Sequence, residues 1–151
     1  MSRRGFTIIE LLIVVAVGGI LTTFVMVAFG NAQGHFAVRQ ARNTFASLHA
    51  RARAQAIEFG TTTSLHVDAA GDSVWITRND TTLETISFVD QFGVDLDGAD
   101  ASFELCMSPR GFGDSSCTSI SGLTTLAFKQ GDDEMYAQML PLGQLKLPGN
   151  R

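Results

Sequence analysis

The sequence predicts an α+β fold: a long N-terminal helix, apolar all round in its first half and amphipathic in its second, packed on a C-terminal antiparallel β-sheet or sandwich head. Three observations predict it. Leu11 to Phe29 runs for 19 residues without a charge. Val38, Ala41, Phe45, Leu48, Ala52, Ala56 and Phe59 then recur at the spacing of one helix face. After Gly60 the apolar period drops to two, and turn residues interrupt it every few positions.

The uncharged run comes first. As a helix it would span about 28 Å, close to the hydrocarbon thickness of a bilayer. Arg3 and Arg4 precede it, which places the N-terminus in the cytoplasm and the rest of the chain across the membrane. A secretory signal peptide needs a shorter apolar region and an Ala-x-Ala-like site, and none follows. A buried core helix is excluded because the remaining ~100 residues could hardly wrap it. A plain signal anchor fits in length and flanks, but it does not explain Glu10. A carboxylate in or beside hydrocarbon costs roughly 2.5–3.5 kcal/mol on insertion scales. The following run to Phe29 offers no basic partner, so one must come from elsewhere. Cleavage between Gly5 and Phe6 would create an α-amino group four residues upstream. On a staggered neighbouring helix, that charge could neutralise Glu10. Gly18 and Gly19 each cost about 1 kcal/mol of helix propensity relative to Ala, and they permit close helix packing or local unwinding.

Gly5-Phe6-Thr7-Ile8-Ile9-Glu10-Leu11-Leu12-Ile13-Val14 resembles the prepilin cleavage and methylation motif of type IV pilins and type II secretion pseudopilins. The resemblance implies a leader, residues 1–5, removed by a prepilin peptidase, and N-methylation of the new first residue, Phe6. It implies that Glu10 is the assembly residue of a transmembrane helix over 6–30. The implied partners are other pilins or pseudopilins, met through that helix, and an inner-membrane assembly platform. The implied location is the bacterial inner membrane, single-pass, with a periplasmic head later drawn into a filament. Related pilins often carry a proline late in this helix; this chain has Val27.

Gly30-Asn31-Ala32-Gln33-Gly34 is polar and glycine-bearing, a place for a bend. The amphipathic helix is expected over 31–60. Arg39, Arg42, Arg51 and Arg53 lie largely off its apolar stripe, as a solvated face or as partners for acids of a neighbouring head. Gly60 suits the position that ends the helix. The β-rich head, 61–151, offers strands at Thr62–Val67, Ser73–Arg78, Thr82–Phe88 and Ser102–Cys106. It also offers a hairpin of Leu123–Lys129 with Met135–Leu140, and a short strand in Leu142–Leu147. Val89–Asp100 is looser. Trp75 is expected in the core of the sheet.

Charge and chemistry narrow the function. From Glu58 onward, 14 acids face five bases, which argues against broad phosphate binding. Cys106 and Cys117 are spaced for a disulfide in an oxidising compartment, the alternative being two free thiols. His35, His49 and His66 are scattered and read as ordinary polar positions. Asp95-Leu96-Asp97-Gly98-Ala99-Asp100 lacks the distal glutamate of a calcium loop. No catalytic constellation is visible, so neither an enzyme, a metal nor a cofactor is expected.

Ser108-Pro109-Arg110-Gly111 and Leu142-Gly143-Gln144, on a helix-then-strands chain, resemble the GspH/FimT group of minor pseudopilins. That resemblance implies a minor pseudopilin of a type II secretion system, priming a periplasmic pseudopilus for protein export. The alternative is a minor type IV pilin of the FimT type, in pilus assembly or DNA uptake. FimT-like proteins use a Gly-Arg-x-Arg element for DNA. The equivalent here is Gly143-Gln144-Leu145-Lys146, which leaves Arg110, Lys146 and Arg151 as the candidate contacts and makes nucleic acid an improbable partner.

Overall fold

The computed structural model describes residues 7–98 and 102–149, without the side chains of 24–32. The chain divides into two units, Met1–Gln33 and Gly34–Arg151. One helix, α1 (Ile8–Phe59), runs through the polar stretch around Gly34. It stops where Gly60 takes a left-handed φ of 64°, the conformation that glycine adopts at least cost.

In the second unit α1 is followed by β1 (Thr63–Asp68), β2 (Ser73–Arg78), β3 (Thr81–Ser87), α2 (Phe88–Phe92), β4 (Asp95–Gly98), β5 (Ser102–Met107), β6 (Thr124–Gln130), β7 (Asp133–Met139) and β8 (Leu145–Lys146). They form two antiparallel four-stranded sheets, ordered β3-β2-β1-β5 and β4-β6-β7-β8.

Burial follows the periodicities. Val38, Ala41, Phe45, Leu48, Ala52 and Ala56 are fully buried along α1. They meet the inward residues of both sheets: Leu65 and Val67 of β1, Val74 and Ile76 of β2, Leu105 and Met107 of β5, Leu126 and Phe128 of β6. The rings of Phe45 and Phe88 each lie within 6 Å of Phe128, joining α1, α2 and β6 at one point (5.7 and 5.8 Å). Phe59 departs from the stripe: it is half exposed, and the Arg78 guanidinium lies 3.7 Å over its ring.

Three further expectations are corrected. Phe88 does not end a strand but opens α2, capped by Ser87 Oγ, which accepts from the Asp90 N–H, and closed by Gly93 at φ 64°. The last strand shrinks to two residues, because Leu140–Gly143 form a turn closed by Gly143 N–H to Leu140 O. Trp75 faces away from the core. The inward residues of β2 are Val74 and Ile76, so Trp75 stands on the opposite face, stacked on His66 at 5.1 Å.

Candidate functional site

The N-terminal unit holds the sequence motif. Gly5 and Phe6 lie outside the described residues; Glu10 does not. Thr7 stands just before α1, and its Oγ1 accepts the Glu10 N–H at 3.3 Å while its carbonyl accepts Glu10 and Leu11 at 3.1 and 3.2 Å. Thr7-Ile8-Ile9-Glu10 therefore has the spacing of a capping box, with a hydroxyl on the third helical N–H and an acid in the first turn. The carboxylate sits where the helix dipole favours negative charge. Its position has a local explanation in addition to any external partner.

Beyond Glu10 the helix is apolar on every side. Ile8, Ile9, Leu11, Leu12, Ile13, Val14, Val15, Ile20 and Leu21 each expose more than half of their surface. A contiguous apolar surface of this kind marks contact with lipid or protein. The helix's own hydroxyls are satisfied internally: Thr22 Oγ1 donates to Gly18 O and Thr23 Oγ1 to Ile20 O, both at 2.7 Å. Such bonding suits an apolar environment. A Cβ at Gly18 or Gly19 would touch nothing, so packing within the chain does not require these glycines. Among the described residues no helix is long and apolar enough to cross a membrane. The predicted uncharged run extends to Phe29, and its side chains from Phe24 onward lie outside the description.

In the head, the two short motifs meet. Gly111 N–H donates to Ser108 O at 2.8 Å and Ser108 Oγ to Phe112 O at 2.8 Å, which closes the Ser108–Phe112 turn. Gly111 has φ 77°, and a Cβ there would come within 2.8 Å of Ile57 on α1. Gly113 N–H donates to Leu142 O at 2.9 Å, and a Cβ on Gly113 would collide with Pro141 O. The Arg-Gly turn and the Leu-Gly turn are thus one packed junction against α1. Buried His49 lies beside the Gly143 backbone, its Nε2 has no hydrogen-bond partner among the described residues, and burial pushes its pKa below the ordinary value.

The candidate DNA contacts are not gathered into a site. Arg110 is exposed in the Ser108–Phe112 turn and Lys146 is exposed in β8; no hydrogen bond or ion pair joins either to the described residues. Arg151 lies outside the description. Four of the other cations have partners within the head, whereas Arg39 is exposed on α1. Arg51 makes a bidentate contact with Glu84, at 2.7 and 2.8 Å. Arg78 bonds Gln55 at 2.7 Å, Arg42 bonds Pro148 O at 3.0 Å, and Lys129 pairs with Asp97 and Glu134. Lys129 hydrogen-bonds the Asp97 carboxylate and lowers its pKa, so a cation already occupies the predicted acidic loop. No group of three metal-ligating side chains occurs among the described residues. Cys106 and Cys117 form a disulfide, with their Cα atoms 5.9 Å apart.

Residues 1–26 match the family model described as the prokaryotic N-terminal methylation motif. No curated protein sequence matches the chain. Two crystal forms of the type IV minor pilin FimU of Pseudomonas aeruginosa (strain PAO1) share its fold at 15% identity. The P21 form has a TM-score of 0.58 over 74% of this chain and 88% of FimU. The P65 form has a TM-score of 0.55 over 74% and 92%. The chain is therefore type IV pilin-like: an N-terminal methylation motif leads into the fold of a minor pilin.

Proposed function

We propose that this chain is a minor subunit of a pilin-type filament, held in the inner membrane by the first part of α1 and then drawn into the filament through that same surface. The observation that carries the reading is the helix from Ile8 to Leu21, apolar on all sides, exposed, and headed by a single carboxylate. In lipid its side chains meet acyl chains; in a filament they meet neighbouring helices, so the exchange loses little burial. Glu10 cannot make that exchange without a counter-charge. The α-amino group of a neighbour cleaved before Phe6 supplies one and fixes the stagger between subunits. In this reading residues 1–5 are the leader, and Phe6 is the methylated first residue.

Of the two machines, protein export by a type II secretion pseudopilus fits this head better than DNA uptake. Arg42, Arg51, Arg78 and Lys129 are engaged by internal partners, and Arg110 and Lys146 lie on separate elements of the head with no partner among the described residues to gather them. Nucleic-acid binding needs phosphate-facing cations free and clustered.

Two measurements test this. Protease added to the outer side of the inner membrane should digest the head and spare the N-terminal segment, and the chain should co-purify with cross-linked filaments. Recovery only as a soluble species would contradict the reading. In a gel shift at low and moderate salt, the chain in detergent should not retain DNA. Retention abolished by Lys146→Ala would favour uptake over export.

A further inference from the structure

A sheet edge presents unpaired N–H and C=O groups that recruit strands from other molecules. Among the described strands the two sheets end in four such edges: β3, β5, β4 and β8. β4 has four residues, two of them aspartates, and β8 has two, so neither makes a template of useful length. β5 has six residues and is covered. Asp114 N–H donates to Cys106 O at 2.9 Å, and Ser119 N–H donates to Glu104 O at 2.9 Å. In return, Cys106 N–H donates to Thr118 Oγ1 at 3.1 Å and Glu104 N–H to Ser119 Oγ at 2.8 Å. The segment from Asp114 to Ser119 thus satisfies the outward backbone groups of Glu104 and Cys106 on β5, and the Cys106–Cys117 disulfide fastens it there. Asp114 Oδ1 organises the segment by accepting from Ser116 N–H and Oγ, and buried Ile120 anchors its far end. β3 has seven residues, no Pro and no Lys, and its one charge, Glu84, is turned to Arg51. Nothing among the described residues pairs with its outer side.

We propose that this disulfide-fastened strap keeps the β5 edge from pairing with the open β3 edge of a second copy of the chain. β1 is antiparallel to both β2 and β5, and β2 to β3, so β5 and β3 run in opposite directions. Two copies in the same orientation would therefore join β5 to β3 as an antiparallel pair and continue one sheet from head to head. Such a contact is heterologous and does not close, the geometry of an open assembly. The strap directs association away from the sheet edges and leaves it to other surfaces. It is set by redox chemistry. A dithiol breaks the Sγ–Sγ bond, passes two electrons and two protons to Cys106 and Cys117, and becomes a disulfide itself. A disulfide-donating oxidase of the dithiol class reverses the exchange. The inference stands independently of which machine uses the subunit.

The test uses the full chain in detergent micelles, oxidised and then treated with dithiothreitol, and follows micelle-corrected mass and amide exchange. The oxidised chain should show slow exchange at Glu104 and Cys106 and no concentration-dependent mass. Reduction should speed exchange at those two amides at least tenfold and produce concentration-dependent oligomers. Leu83→Lys, which places a charge on the exposed β3 edge, should suppress the oligomers without slowing that exchange. Cys117→Ser should reproduce the reduced behaviour without reagent. A reduced chain that stays monomeric with both amides protected would overturn the proposal. So would oligomers indifferent to Leu83→Lys, or loss of the whole fold on reduction, which would make the bond a stability staple only.

Discussion

The two described stretches of α1, Ile8 to Thr23 and Gly34 to Phe59, share one secondary structure and almost nothing else. In the first, apolar residues cover every side and all are exposed; in the second they form one stripe, and six of its seven positions are buried. Helix formation is therefore not what distinguishes them. The second stretch is stabilised by its own chain, through both sheets. The first is apolar on every side, and its single charge stands at the end that a helix dipole favours. A striped helix belongs to a head that folds on itself, whereas an unstriped one needs other molecules.

The largest expected effect breaks the first stretch alone. Glu10→Leu should abolish incorporation into filaments and leave the head's thermal unfolding unchanged, as followed by co-purification and circular dichroism. A shifted unfolding midpoint would mean that the two stretches are not independent in this way. Phe45→Ala should do the reverse. It empties a fully buried site against Phe128 and should cost about 3–5 kcal/mol in urea unfolding. Phe36→Ala, at a position 64% exposed on the same helix, should stay within about 0.5 kcal/mol. Similar losses for the two phenylalanines would break the stripe argument.

His49 sharpens the contrast through pH. Burial, the larger cause, and nearby Arg53 lower its folded pKa below 6.5, against a smaller raising effect of the Gly143 backbone. The unfolded chain then binds the proton more readily than the folded one. Stability from this site is complete above pH about 6.5 and declines as the pH falls through that value towards the folded pKa. The urea midpoint of the wild type should fall more between pH 7.5 and pH 5.5 than that of His49→Gln. Equal slopes would remove the buried ring from the account. Smallest of all, Arg51→Ala should cost less than about 1 kcal/mol, because the Arg51 side chain is 62% exposed and its pair with Glu84 is a surface one.

The long-range features were legible where periodicity persists. The stripe from Val38 to Ala56 and the strands around Leu65, Val74, Leu105 and Leu126 follow from spacing alone. Residues 88–98 did not read clearly, because α2 is a single turn and β4 buries only Leu96 between outward aspartates, too little for either period to emerge. Ser87 and Gly93, a cap and a left-handed glycine, were the available signals. For Trp75, size points to the core, whereas alternation with Val74 and Ile76 places it on the opposite face. The Thr7–Glu10 spacing also carries a capping signal, within a stretch whose apolar run is the stronger pattern. The meeting of the Arg-Gly and Leu-Gly turns was not legible, since some thirty residues separate them and only the tertiary fold brings Gly113 against Leu142.

Intact mass of the protein recovered from cell membranes tests the central claim most directly. A chain that begins at Phe6 and carries one added methyl group would match a helix prepared to answer a neighbour's Glu10. A chain that still begins at Met1, unmethylated, would contradict it.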